Sequence, residues 1–394
     1  MSWPTVKLGD VTFTTSGGTP KRDNDSYYGG SINWIKSGEL SQDLITSSEE
    51  FITEEGLKNS SAKLMPPFTV LLAMYGATVG AVSILGIPAT TNQAICCIQP
   101  FAELNCFYLK AYLKSIKQNL LASRVGGAQP NLNQDLIRNL KIPLPPLAQQ
   151  KRIAAILDKA DEIKRKREQA IAKLDQLAQS IFVEMFGDTI KSNVRIEMRE
   201  LIKEFRYGTS NKSGAIGYPT LRIPNVAFGS LNLTELKTVE VKEEEFNRLK
   251  LIEGDLLFVR TNGNAEYVGR CVVFNPVDVA NTGFDAEKYI YASYLIRARL
   301  KSTSVLSIVI QEFLSTAEGK RALKARCKTS AGQFNINTEG LGSLPIPNFP
   351  MHLQELFIIL KKSIEQQKIV RQKALEKHNQ LFASLQNQAF TGQL

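Results

Sequence analysis

Arg260-Thr261-Asn262-Gly263-Asn264 is the stretch whose side chains come nearest to a recognisable chemistry. Arginine and asparagine are the residues that fork onto the edges of guanine and adenine. Further cations stand in loops rich in Gly, Asn and Ser: Lys21 and Arg22 after Gly17-Gly18, Lys36, Arg206 beside Tyr207, Lys212 and Arg222. Arg124 and Lys328 flank two copies of a Gln-x-Asn-x-Asn turn, where they could hold phosphates while the turns themselves cap helix packing. Singly, each reads as an ordinary surface residue. Together with a net charge of +10 over 394 residues they favour a polyanionic partner, since each neutralised phosphate releases counterions. The densest charge run, Lys164-Arg165-Lys166-Arg167, reads first as a solvated helix face.

Catalytic chemistry is harder to build. The two histidines, His352 and His378, both fall late in the chain, so neither globular stretch holds a Ser-His-Asp or Cys-His set. No phosphate-cradling Gly-x-x-x-x-Gly-Lys-Ser/Thr loop and no Gly-x-Gly-x-x-Gly turn occurs. The amine-holding Asn/Asp-Pro-Pro-aromatic motif of amino-methyltransferases is missing, with only Asn275-Pro276 and Pro347-Asn348-Phe349 near it. Glu240-Val241-Lys242 is half of a nuclease motif without the preceding Pro-Asp. Five cysteines (Cys96, Cys97, Cys106, Cys271, Cys327) form an odd set with no Cys-x-x-Cys pair, which points to a reducing cytoplasm and idle thiols rather than disulfides or a metal site. No 18-residue apolar run suggests a membrane span, and Met1-Ser2-Trp3-Pro4 does not read as a signal peptide. The chain is expected to be cytoplasmic and non-catalytic by itself.

The elements that must position these side chains come in two copies. Gln129, Asn131 and Asn133 match Gln333, Asn335 and Asn337 at an offset of 204 residues, held without a gap to Phe186 and Phe390. Each copy passes through a Pro-rich strap (Ile142-Pro143 to Pro146; Ile346-Pro347 to Pro350) into a long helical pattern, and each follows a globular stretch of similar length. A repeat this long means paired domains rather than a solenoid. In the first half Val70–Met74 and Ala94–Ile98 read as buried strands and Phe107–Leu121 as one helix. In the second half Leu256–Val259, Tyr294–Ile296 and Val305–Leu323 repeat that order, while Trp34-Ile35-Lys36 and Leu221-Arg222-Ile223 look equivalent. Strands grouped with a late helix predict α+β domains.

The long patterns predict helices of about 36 residues, roughly 54 Å each. A seam of three- and four-residue steps runs through Ile153, Ile156, Ala160, Ile163, Arg167, Ala170, Leu174, Leu177 and Ile181. Its copy runs through Phe357, Leu360, Ile364, Gln367, Arg371, Ala374, His378, Leu381 and Leu385. The second seam is too polar to stand alone, so the two helices are expected to pair antiparallel within the chain as an intramolecular coiled coil with pseudo-two-fold repetition.

The segment Gly126–Asp188, with Leu-Pro-Pro-Leu-Ala-Gln-Gln-Lys-Arg-Ile-Ala at 144–154 and Phe-Gly-Asp at 186–188, resembles the central conserved region of specificity (S) subunits of type I restriction-modification systems. The resemblance covers the whole order of parts. It implies target recognition domains at 1–145 and 189–345, each reading one half of a bipartite asymmetric site on double-stranded DNA. The helical regions, 146–188 and 346–394, would set the spacer and dock two methyltransferase (M) subunits, with restriction (R) subunits joining them. S-adenosylmethionine, ATP and Mg2+ would belong to those partners and none to this chain. Phe349-Pro350-Met351-His352-Leu353-Gln354 departs from the tighter first strap, which weakens the expected contacts there. A stand-alone bipartite DNA-binding scaffold or regulator, a nuclease with an unrecognised site, and the recognition part of a type IIB-like enzyme are the competing expectations.

Overall fold

The apolar runs that read as buried strands are the centres of two sheets. The computed structural model describes residues 3–122, 131–226, 230–301, 304–330 and 332–394, and the chain divides into two units, Met1–Gln169 with Gln372–Leu394, and Ala170–Arg371. Each unit therefore contains one globular stretch and part of both long helices.

In the first unit Val70–Ala73 lies between Ile95–Pro100 and Val82–Leu85, with Thr12–Ser16 and Leu44–Ile45 at the edges of the five-stranded sheet. Every residue of Val70–Ala73 and Val82–Leu85 is buried, as unbroken apolar runs require when both faces are covered. A smaller sheet centres on Tyr28–Ile35, antiparallel to Glu50–Ile52 and parallel to Thr90–Thr91. The helix expected over 107–121 is two, Cys106–Ser115 and Lys117–Ala122, with the chain turning at Ile116. Asn105 Oδ1 starts the first by accepting from the Phe107 and Tyr108 amides at 3.0 and 3.1 Å.

The second unit repeats this order. Ile202–Tyr207, Leu295–Leu300, Leu256–Val259 and Cys271–Val273 form one four-stranded sheet, and Ser213–Gly214, Lys237–Val239, Tyr218–Leu221 and Ile290–Tyr291 another. Its late helix is also two, Ser304–Ser315 and Ala317–Lys324, divided at Thr316, whose hydroxyl accepts from the Gly319 amide at 3.2 Å. Such a side chain–backbone cap competes with helix continuation, and that is why one helical periodicity becomes two helices. The architecture is α+β.

Each Pro-rich strap is a strand paired with the beginning of its own half: Val6 faces Ile142 in Thr5–Lys7 with Lys141–Pro143, and Ile196 faces Ile346 in Arg195–Glu197 with Pro345–Pro347. From the straps the chain enters helices of 45 and 41 residues, Leu147–Lys191 and Met351–Thr391. They are longer than their seams because each continues through the Phe-Gly or Phe-Thr end of the repeat.

Within the first unit His378 Nε2 lies 2.8 Å from the carbonyl oxygen of Ala160, and Phe390 packs on Tyr108 and Tyr112 at 5.5 and 5.1 Å. Within the second, Lys368 donates to Asp175 at 2.6 Å, while Phe182 meets Phe357 at 5.1 Å. Partner numbers fall as helix numbers rise, so the segments run antiparallel. Phe182, Phe186, Phe313, Phe349 and Phe357 form the aromatic core of the second unit.

The buried line differs from the expected seam. Ile153, Ala160 and Phe357 are buried, and Ile156, Ala170, Leu174, Ile181, Leu360, Ile364, Ala374 and Leu385 half-buried. Ile163, Leu177 and Leu381 are exposed, as are Arg167 and Arg371. Leu157, Ala178, Phe182 and Phe186 take the buried places instead. The spacing explains the shift: Ile153 to half-buried Ile171, and Ala160 to Ala178, are each 18 residues, five turns of a straight helix. A strict heptad path drifts about 20° per repeat from that line.

Candidate nucleic-acid interface

The loop that follows strand Leu256–Val259 is fastened on both sides of its first residue. The Arg260 amide donates to Tyr294 O at 3.0 Å, and its carbonyl accepts from the Ile336 amide at 2.9 Å. Thr261–Asn262 then pairs antiparallel with Gln333–Asn335, which pairs with Lys328–Ser330. The second Gln-x-Asn-x-Asn turn and the Arg-Thr-Asn-Gly-Asn loop are thus neighbouring strands of one small sheet, with Lys328 opposite Asn335. Arg260, Asn262, Asn264 and Lys328 are brought together although 68 residues separate the first from the last.

The Arg260 guanidinium lies 4.8 Å over the ring of Tyr207, an exposed aromatic platform that holds it without neutralising it. Asn262 Oδ1 accepts from the Asn264 amide at 2.9 Å, and Asn264 Oδ1 accepts from Glu266 N at 2.9 Å. The carbonyl half of each amide shapes the loop, so the Nδ2 half is what each can present outward. The last asparagine of each repeated turn is a helix cap: Asn133 Oδ1 accepts from Leu136 N at 2.7 Å and Asn337 Oδ1 from Gly340 N at 2.8 Å, each contributing about 1 kcal/mol. Gln129 and Arg124 lie outside the described residues.

Arg22, Lys36, Arg206 and Arg222 have their charge answered inside the protein. Arg22 stacks 4.6 Å from Tyr28 and 4.7 Å from Trp34, and it pairs with Glu50 at 2.7 Å. Lys36 reaches the same carboxylate at 3.0 Å and Glu49 at 2.9 Å. Hydrogen bonds from Arg22 and then Lys36 hold the Glu50 carboxyl below its usual range. Arg206 donates through Nε to Glu204 at 3.0 Å. Arg222 Nη2 reaches the carbonyl of Glu235 at 3.2 Å. Lys21 and Lys212 are exposed loop cations.

In the Lys164–Arg167 run, Arg165 meets Asp43 at 2.5 Å and Lys166 meets Glu162 at 2.6 Å. Asp43 also takes Lys114 at 2.5 Å. Burial pushes the Asp43 carboxyl up, but Lys114, Lys110 and Arg165 outweigh it and the net direction is down. Within the run Arg165 ties the helix to the globular stretch of its own unit, while Lys166 and Lys164 pair along the helix itself.

Lys36 and Arg222 are equivalent. Each follows a strand residue whose carbonyl receives an amide from the far loop (Asn92 N to Ile35 O, Ala292 N to Leu221 O, both 2.9 Å). Each has its own amide capped by a side chain three residues on, Glu39 and Asn225, at 2.8 Å. The sequence equivalence of the two stretches is correct with a shift of one residue. Sequence reasoning missed Tyr207 as a platform and Glu50 as the counter-ion of two candidates, since neither pairing has a local signal.

Among the described residues no group of His, Cys, Asp and Glu could hold a metal ion, and no helix is long and apolar enough to cross a membrane. The cysteines are free, and burial pushes the Cys97 thiol up to about 11 and that of Cys271 higher still, so neither is a thiolate nucleophile.

Residues 1–173 match the family model of the type I restriction modification DNA specificity domain. The chain is 26% identical, over its whole length and 89% of the relative, to the specificity subunit of the type I restriction enzyme EcoKI of Escherichia coli K12. It is 30% identical to the EcoR124I/EcoR124II specificity subunit of Escherichia coli over 41% of either chain. Among solved structures, the type I S subunit from M. genitalium shares the fold at a TM-score of 0.53 and 14% identity, covering 98% of this chain and 96% of that one. A chain from a structural study of assembly and conformational transition in the type I system does so at 0.61 and 17%, covering 100% and 98%. The chain is thus similar along its whole length to specificity subunits of type I restriction enzymes, and it shares the fold of a solved type I S subunit.

Proposed function

We propose that this chain is the DNA-reading subunit of a cytoplasmic type I restriction-modification complex, each globular stretch reading one half of a bipartite, asymmetric site. One observation carries the reading most directly: two halves share a backbone frame, yet they present differently charged loops at corresponding positions. A repeated frame with unlike loops suits a site whose two halves differ in sequence. Arg260, Asn262 and Asn264 supply groups for base edges, and Lys21, Lys212, Lys328 and the wider positive charge set register through phosphates.

The long helices act as spacer and as docking surface for two methyltransferase subunits. Exposed apolar side chains along them, Ile163, Leu177, Val183, Ile359, Val370 and Leu381, are the material for that docking. Adenine methylation with S-adenosylmethionine, and ATP- and Mg2+-dependent cleavage by restriction subunits, belong to the partners. This chain supplies the address.

The test is co-expression with the methyltransferase gene followed by sequencing of modified adenines. A two-part methylated motif with a fixed gap, and recovery of two methyltransferase chains per copy of this one, are expected. Recovery of the chain alone bound to DNA, or cleavage of DNA by the purified chain with magnesium, overturns the reading.

A further inference from the structure

Four backbone hydrogen bonds place the loop between Val70–Ala73 and Val82–Leu85 in the same frame as the loop that begins at Arg260. Met74 N donates to Ala94 O at 2.8 Å as Arg260 N does to Tyr294 O at 3.0 Å. Leu132 N donates to Met74 O as Ile336 N does to Arg260 O, both at 2.9 Å. The remaining two bonds close the other end. Gly80 N reaches Ala73 O at 2.9 Å and Gly269 N reaches Val259 O at 2.8 Å, while Ala73 N to Ala81 O and Val259 N to Arg270 O measure 2.9 and 2.8 Å. Gly80 and Gly269 share a left-handed backbone, with φ of +78° and +79°, which a side chain rarely adopts.

Between these anchors the tips differ in length and content: Tyr75-Gly76-Ala77-Thr78-Val79 against Thr261-Asn262-Gly263-Asn264-Ala265-Glu266-Tyr267-Val268. Frame residues Ala73, Met74, Gly80, Val259 and Gly269 are buried, whereas Gly76, Ala77, Gly263 and Asn264 are exposed. The frame is pinned by the residue between the two asparagines of each repeated turn, Leu132 and Ile336, at the offset of 204 that links the two copies.

We propose that Tyr75–Val79 is the base-reading tip of the first recognition domain, the counterpart of Thr261–Val268 in the second. This rests on the DNA-reading function proposed above. Exposed Ala77 and partly exposed Thr78 offer a methyl group and a hydroxyl, a set suited to a thymine methyl and a single hydrogen bond. The second tip offers Asn262 and Asn264 amides suited to purine edges. The two half-sites are therefore read with different chemistry from one scaffold position.

The experiment is a methylome of cells carrying the methyltransferase with either the double variant A77N/T78N or a graft of the Thr261–Val268 sequence in place of Tyr75–Val79. Altered preference in the first half-site by about tenfold or more in relative methylation, with the second half-site and the gap unchanged, is expected. Methylation with both half-sites unchanged overturns the tip assignment while leaving the DNA-reading function standing. Loss of all methylation by both variants, with the methyltransferase still co-purifying, marks the tip as framework and overturns it too. Failure of the unaltered chain to direct any two-part methylation overturns the function itself.

Discussion

His378 and Ala160 meet through a ring nitrogen and a backbone oxygen: Nε2 of the first lies 2.8 Å from the carbonyl of the second. A carbonyl can only accept, so Nε2 carries the proton and donates. This places one of the chain's two histidines in helix pairing rather than chemistry. His378→Ala removes the bond and part of the stacking on Phe382. A loss of about 1 kcal/mol in urea unfolding is expected, with no effect on which bases are methylated.

Phe186 closes the second unit. Its ring lies 4.9 Å from Phe182 and 5.1 Å from Phe349, and the side chain has no exposure. Phe186→Ala is expected to destabilise that unit by about 3–5 kcal/mol through lost burial and the cavity left behind. Phe186→Leu should cost far less. Calorimetric or denaturant unfolding of the full chain would separate the two, and equal losses would mean the site collapses freely.

Glu50 binds two cations and its carboxyl is held below the ordinary range by Arg22 and Lys36. A folded-state value lower than the unfolded one stabilises above the ordinary carboxylate range, and that contribution is lost as pH falls through the folded value. Glu50→Gln should therefore be less stable than the unaltered chain at neutral pH, with the gap closing on acidification. The same variant frees Arg22 and leaves Lys36 with Glu49 as a counter-ion, so its binding to duplex DNA at low salt should strengthen and depend more steeply on salt. Urea unfolding between about pH 3 and pH 7, and binding over a salt series, check both.

Arg260 sits over Tyr207 with its backbone fastened on two sides. Arg260→Ala is expected to weaken recognition by about 1–3 kcal/mol at one position of the second half-site only. Arg260→Lys keeps the charge but loses the planar fork, and it should restore general affinity without restoring base preference. Competition binding against duplexes altered in either half-site measures this. Equal loss on every duplex would make Arg260 a phosphate contact.

Helix length should fix the gap between half-sites. Four residues inserted at 169–170 and at 371–372 add about one turn or 6 Å. The methylated motif is then expected to keep both halves and to lengthen its gap by one or two base pairs. An unchanged gap would remove the helices from the role of spacer.

Much of this was legible in the residues. Val70–Ala73 and Leu256–Val259 announce themselves because a strand buried on both faces needs an unbroken apolar run. The repeat announces the paired architecture, since one offset matches turns, straps and helices together. Asn133 and Asn337 cap helices as their spacing allows. The helical break at Thr316 is local too, but its hydroxyl cap was hidden under an apolar periodicity that runs on past it.

Charge could not be weighed from sequence. Arg22 and Lys36 read as free cations because their shared counter-ion, Glu50, comes from a different strand, and only pairing of Tyr28–Ile35 with Glu50–Ile52 brings them together. The seam was misplaced for another reason: a heptad count and a straight helix agree over two turns and part over five, which moved Ile163 and Leu177 to the surface.

By itself the sequence determined that there are two copies of one plan, which segments form the buried sheets and the long helices, and that basic residues outnumber acidic ones. Periodicity, turn residues and charge are local properties, readable along a line. The tertiary structure alone decided that Met74 and Arg260 hold the same place, at unequal offsets from everything around them. Equivalence there is carried by hydrogen bonds to Leu132 and Ile336, Ala94 and Tyr294, distant in the chain. Such bonds depend on backbone position rather than side-chain type, so nothing in the residue names records them.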